Sequence, residues 1–199
     1  LVDALTHELD DPLRVRDFAA LIQRDRILRN PVIAAELEKK YLVLDGATRV
    51  MALRGLGLRD VLVQVVDYAD PSVELSEWHH VIAGVPSNRL LSELADVEGV
   101  VLQPVEPAQA RRELAVRRIL GCVVMNNGQH YAVMIDNTLD LPRQAALLSQ
   151  LVEVYRGSAE VHRTVEVDLP ALTAEYPGLS AVVMFPRFTP HELVALALG

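Results

Sequence analysis

The densest chemical potential of the sequence lies in one run, Tyr41-Leu42-Val43-Leu44-Asp45-Gly46-Ala47-Thr48-Arg49. An apolar stretch, a glycine turn and a helix start in that order direct free backbone N–H groups at an anion. The side chains suit the same task. Asp45 at the strand end can hold Mg²⁺, Gly46 lets a phosphate approach the backbone, and Thr48 and Arg49 offer a hydroxyl and a forked cation. Each residue also has a plainer reading, with Asp45 capping the helix, Gly46 making the turn and Arg49 pairing with a surface carboxylate. Glycine motifs this short recur by chance, so spacing alone leaves both readings open.

The elements that must position this run are set by hydrophobic period. Apolar residues at Leu13, Phe18, Leu21 and Ile22 share a helical stripe, which predicts a first helix over 13–26. Pro31-Val32-Ile33 and Tyr41 to Leu44 read as two strands separated by the charged stretch Glu36 to Lys40. Val50, Met51, Leu53 and Leu56 resume helical spacing over 47–56, with Gly57 as the stop. Val61 to Val66 reads as a buried strand by its β-branched content. In the second half, helices are expected at 87–97, 107–119, 140–156 and 189–198, and strands near 99–104, 121–125, 130–135 and 180–185, punctuated by prolines such as Pro86 and Pro186. The expectation is an α/β (α+β) chain: a domain over 1–80 and a closely packed second α/β domain over 81–199 that completes a substrate site.

Composition narrows the classes. The 199 residues, 51% hydrophobic, suffice for a real core. A net charge of −8, with no basic excess in either half, places no positive field around the molecule, so nucleic acid is not an expected partner. The one cysteine, Cys122, cannot form an intrachain disulfide, and no run of about 18 apolar residues is present to span a bilayer. No signal-peptide pattern opens the sequence. A reducing, cytoplasmic setting away from membranes is therefore expected, and a homodimer is compatible with it.

Arg29-Asn30-Pro31-Val32-Ile33, then Tyr41 to Leu53, then Gly57 and Val61 to Tyr68 resemble the ParB/sulfiredoxin-like superfamily, whose members carry a D-G-x-x-R or related phosphate motif here. Within it the sequence looks most like free L-serine kinases, ADP-dependent in archaea and ATP-dependent in staphyloferrin B biosynthesis, which make O-phospho-L-serine. The likeness is good over about residues 5–80. It extends to His7-Glu8, where the family places its catalytic glutamate, and to Trp78, where a tryptophan helps form the serine site. It implies Glu8 and Asp45 as catalytic residues, Gly46, Ala47, Thr48 and Arg49 around the phosphates, His7 and Trp78 at the substrate, Mg²⁺ on Asp45, and ATP or ADP as donor to free L-serine. Two departures stand out. The archaeal motif has histidine where this sequence has Thr48, and family members continue past the final helix into a basic Thr-Arg-His segment, whereas this sequence ends at Gly199.

Other residues read more plainly. His79 and His80 face different directions on any regular element and are expected at the surface or the substrate rather than as a metal pair. Cys122 and His130 flank an Asn126-Asn127-Gly128 hairpin signal and are expected to be a buried thiol and an ordinary strand histidine, with nothing marking a haem pocket. Ala47 and Thr48 stand where a sulfiredoxin has its cysteine, so that activity is not expected. Arg111, Arg112, Arg117 and Arg118, interrupted by Glu113, read as a solvated helix face. The alternatives to a kinase are a ParB-like nucleotide-responsive regulator that binds DNA or a partner protein, and a nucleotide-binding module without catalysis.

Overall fold

The computed structural model describes residues 4–5, 12–37, 40–67, 70, 76–136, 138–189, 192 and 194–196. The chain divides into two units, one formed by Leu1–Glu74 with Thr189–Gly199 and the other by Leu75–Phe188. The division falls a few residues earlier than the sequence suggests, and the last eleven residues group with the first unit.

The first unit contains β1 (Ala4–Leu5), α1 (Pro12–Asp25), β2 (Val32–Leu37), β3 (Lys40–Asp45), α2 (Ala47–Gly55) and β4 (Val63–Val66). Its sheet has the order β1-β3-β2-β4. The β2–β3 pair is an antiparallel hairpin, as the charged turn implies, while β4 returns parallel to β2. A parallel return needs a crossover, and α2 supplies it. Val32, Val43 and Val50 form a small buried cluster with Val61 and Val63 against it. The strand at 61–66 is shorter than expected and is not buried. Val65 is half exposed and Leu62 72% exposed, because β4 is an edge strand with one neighbour. β-branched content marks a strand but not its place in the sheet.

The second unit runs β5 (His79–Ala83), α3 (Ser87–Ala95), β6 (Val101–Pro104), α4 (Pro107–Ala115), β7 (Gly121–Met125), β8 (His130–Met134), α5 (Leu141–Tyr155), β9 (Glu160–Thr164), α6 (Leu169–Glu175) and β10 (Leu179–Met184). The sheet order is β6-β8-β7-β10-β5-β9, with every pair antiparallel. Strand period 2 sorts its side chains between two cores. Val123, Met125, Ala181 and Val183 pack with Leu90, Leu94, Leu148, Leu151 and Tyr155 of α3 and α5. Cys122, Val124 and Val182 pack with Ala110, Leu114 and Leu172 of α4 and α6. The Asn126-Asn127-Gly128 turn joins β7 to β8, with Gly128 at φ 84°, the left-handed geometry that glycine tolerates.

The helix expected over 107–119 stops at Ala115. Arg117 adopts φ 53°, and the N–H groups of Arg117 and Arg118 donate to the carbonyls of Leu114 and Glu113 at 3.0 and 2.9 Å. This is the Schellman closure of a helix, made without its usual glycine. Beyond Phe188, the described residues 192 and 194–196 are helical. Three strands and a helix, β1, β5, β9 and α6, are additional to the elements expected from the sequence.

Candidate functional site

Asp45 ends β3 beside a register irregularity: Ile33 faces Asp45 while Ala34 faces Val43, so Leu44 is an extra residue on β3. Such a bulge bends a strand and re-aims the chain beyond it. Gly46 then turns the chain at φ 106°, ψ 23°, and α2 begins without any side-chain cap. The first intrahelical bond runs from Val50 N–H to the Gly46 carbonyl at 3.0 Å. The amides of Ala47, Thr48 and Arg49 precede it and have no place in the helical ladder. They converge with the positive end of the helix dipole, which favours an anion.

Asp45 does not cap the helix. Its Oδ2 accepts a bond from Arg49 Nη2 at 2.5 Å. The pair is unequal, with the Arg49 side chain 16% exposed and that of Asp45 53%. The guanidinium folds back over Gly46, where an added Cβ would lie 2.7 Å from Arg49 Nε and 2.8 Å from Nη2. Arg49 Nε is buried and makes no hydrogen bond among the described residues. A cation with a spare donor thus lies against an uncapped helix start. Both features call for an oxyanion.

A Mg²⁺ ion fits the same turn. No group of three or more His, Cys, Asp or Glu is arranged to hold a metal among the described residues. Mg²⁺ typically takes one or two carboxylates and completes its shell with phosphates and water, and the exposed Asp45 suits that part.

Trp78 precedes β5 in the second unit and is 46% exposed. His7 and Glu8 lie outside the described residues. The structure therefore brings Asp45, Gly46, Ala47, Thr48 and Arg49 into one turn and carries Trp78 on the other unit. The surface expected for His79 is corrected. It is 5% exposed, its Nδ1 accepts a bond from the Phe185 N–H at 3.3 Å, and burial lowers its pKa against the opposing charge of Glu77. His80 is half-buried, with its Nδ1 2.8 Å from the Tyr155 hydroxyl. Burial pushes the Tyr155 pKa upward, so the hydroxyl keeps its proton in this contact. Tyr155 is not among the residues singled out by the sequence, where its only signal is its place in the apolar stripe of α5. Cys122 is buried as expected, its thiol pushed up to about 11 by desolvation and thereby made inert.

No family model matches the chain. Over 101 residues it is 34% identical to an ATP-dependent L-serine kinase of Staphylothermus marinus, covering 50% of this chain and 39% of that one. Over 75 residues it is 32% identical to the ATP-dependent L-serine kinase SbnI of Staphylococcus aureus, covering 37% and 29%. The chain is similar to free L-serine kinases. A solved free serine kinase in complex with AMP superposes with a TM-score of 0.72 at 17% identity, over 98% of this chain and 78% of that one, and shares its fold. The likeness to free serine kinases in sequence spans well under half the length of either curated relative. No helix among the described residues is long and apolar enough to cross a membrane.

Proposed function

We propose that the protein transfers a phosphoryl group from ATP or ADP to the hydroxyl of free L-serine, giving O-phospho-L-serine. The observation that carries the reading is the uncapped start of α2 behind Gly46, with the Arg49 guanidinium folded against it. It is supported by the similarity to two chains named ATP-dependent L-serine kinase. In the reaction the serine oxygen forms a bond to the terminal phosphorus as the bond to the bridging oxygen breaks, and ADP or AMP leaves.

Phosphoryl transfer asks mainly for positioning and charge neutralisation. The amides of Ala47, Thr48 and Arg49 would hold the terminal phosphates, and Arg49 would exchange its bond to Asp45 for one to a phosphate oxygen. Asp45, so released, would hold Mg²⁺, which supplies neutralisation of the phosphate charge. Glu8 would take the serine proton, and His7 and Trp78 would hold the amino acid. Thr48 offers a hydroxyl where the archaeal motif has an imidazole, so any proton transfer in this reading falls to the carboxylates. The acidic net charge of −8 disfavours the alternative of a DNA-binding regulator.

The test is incubation of the full chain with serine, Mg²⁺ and either nucleotide, with detection of O-phosphoserine. Product is expected with at least one donor, and its absence with both overturns the reading. Gly46→Ala introduces a Cβ into the space of the guanidinium at a left-handed φ. Nucleotide affinity is expected to fall by about tenfold or more, as for loss of a charge-assisted bond. Unchanged affinity would remove the phosphates from this turn.

A further inference from the structure

The turn at Gly46 contains an anion of its own. An aspartate one residue before the helix boundary commonly turns its carboxylate to the free amides of the first turn. Asp45 leaves those amides open and binds the cation instead, its Oδ2 taking up Nη2 of Arg49. The contact is built into the backbone. Gly46 has no Cβ, and one placed there would lie within 2.8 Å of both Nε and Nη2, so the guanidinium can lie over the turn and reach Asp45 only because residue 46 is glycine. Asp45 therefore holds the same cation that a phosphate at this turn would need.

Charge counting shows what that competition does. A bare polyphosphate that displaces the carboxylate leaves two anions beside one guanidinium, with Asp45 facing a like charge at close range. A phosphate that carries Mg²⁺ offers the displaced carboxylate a cation, and one or two carboxylates together with phosphate oxygens are a usual shell for this ion. The exchange then turns one ion pair into two. Asp45 is free to make it, since its side chain is 53% exposed whereas that of Arg49 is 16% exposed. A pair with one half-exposed member adds little to stability and is readily exchanged.

We infer that Asp45 makes this turn selective for a nucleotide carrying Mg²⁺: its carboxylate competes with metal-free phosphate for Arg49 and releases the guanidinium when the ligand brings a cation in exchange. The inference rests on the reading that the phosphates bind at Gly46. It goes beyond that reading by giving Asp45 a role against the wrong ligand as well as for the right one.

The test is calorimetric titration of the full chain with ADP and with ATP, without serine, each in Mg²⁺ and in EDTA. The wild type is expected to bind the Mg²⁺ form about tenfold or more tightly than the metal-free form. Asp45→Asn should raise metal-free affinity by about fivefold or more and all but remove the preference for Mg²⁺. Asp45→Ala, which also deletes the hydrogen-bond acceptor, should act in the same direction. Asp17→Asn, at a side chain 72% exposed on α1, makes the same change in net charge and should leave both affinities as they are. Metal-free affinity that is equal or lower in both Asp45 variants would make Asp45 a metal ligand alone and overturn the inference. An equal rise in Asp17→Asn would overturn it too, as an effect of net charge. Gly46→Ala separates this inference from the reading beneath it. Loss of nucleotide affinity in Gly46→Ala without a gain in the Asp45 variants overturns the selectivity and keeps the phosphates at the turn, whereas unchanged affinity in Gly46→Ala overturns both.

Discussion

The six-stranded sheet of the second unit is covered on both faces, by α3 and α5 on one side and α4 and α6 on the other. Among the described residues the four-stranded sheet of the first unit gathers Val32, Val43 and Val50 into its buried cluster, and α1 buries no residue fully. The unit with the shallow core nevertheless carries the turn proposed for the phosphates, with its bulge, its left-handed glycine and its helix start without a side-chain cap. Features of that kind are individually unfavourable to folding and recur where ligands bind. The deep unit contributes a scaffold and a half-exposed Trp78. Stability and proposed chemistry are thus divided between the two.

The largest expected effect tests the chemical side of this division. Glu8→Gln removes the proposed base while keeping its size, and turnover should fall by about 10²–10⁴-fold. Nucleotide binding and the thermal midpoint should hardly move. Asp10→Asn and Asp11→Asn carry the same charge change as controls. Equal losses in all three variants would reduce the role of this acidic stretch to a net-charge effect.

Next in size is a matched pair of core truncations. Leu151→Ala in α5 and Leu53→Ala in α2 delete the same atoms at residues 2% and 6% exposed. Such truncations cost about 2–5 kcal/mol, more where the surroundings cannot collapse. Denaturant unfolding should place Leu151→Ala near the top of that range and Leu53→Ala near the bottom. The reverse order would break the comparison of core depths.

A smaller effect is expected at Trp78. In a folded Trp78→Ala protein the serine KM should rise about tenfold, equivalent to ~1.4 kcal/mol, with the nucleotide KM little changed. A variant that instead loses stability with both constants intact would make Trp78 part of the scaffold alone.

The smallest effect concerns acid. Burial holds the His79 pKa below the value of about 6.5 it has in an unfolded chain. The unfolded chain therefore takes up the proton first on acidification. The stability contributed by neutral His79 is complete above pH ~6.5 and is lost as pH falls through the folded value, with the Phe185 N–H left facing a protonated ring. His79→Gln should flatten the acid slope of stability by at most about 1.4 kcal/mol per pH unit. Equal slopes in the two proteins would exclude His79 as its source.

The sequence disclosed those elements whose local signals agree with their surroundings. The β2–β3 hairpin, the Asp45-Gly46 turn into α2 and the Asn127-Gly128 turn between β7 and β8 were all legible from residue type and spacing. What escaped depends on tertiary context. β5 begins with two histidines, which read as polar until the Phe185 amide and the Tyr155 hydroxyl are seen to satisfy them. β9, an edge strand written Glu-Val-His-Arg-Thr, has too little apolar content to announce itself. α6 has only 7 residues, started by Asp168, whose side chain accepts a bond from Ala171 N–H at 3.1 Å. The open helix start could be anticipated from Gly46, but the return of the Arg49 guanidinium over it could not, because a long side chain chooses its rotamer from what surrounds it.

The return of residues 189–199 to the first unit makes the second an insertion within it. Synthesis then delivers the parts in an awkward order. At about 5–20 residues per second, the ribosome needs on the order of ten seconds to make residues 75–188 after the first 74. The inserted unit is contiguous in sequence and can close its two cores as soon as it emerges. The shallow unit has its pieces separated in time as well as in sequence, so it is completed only when residues 189–199 have been made.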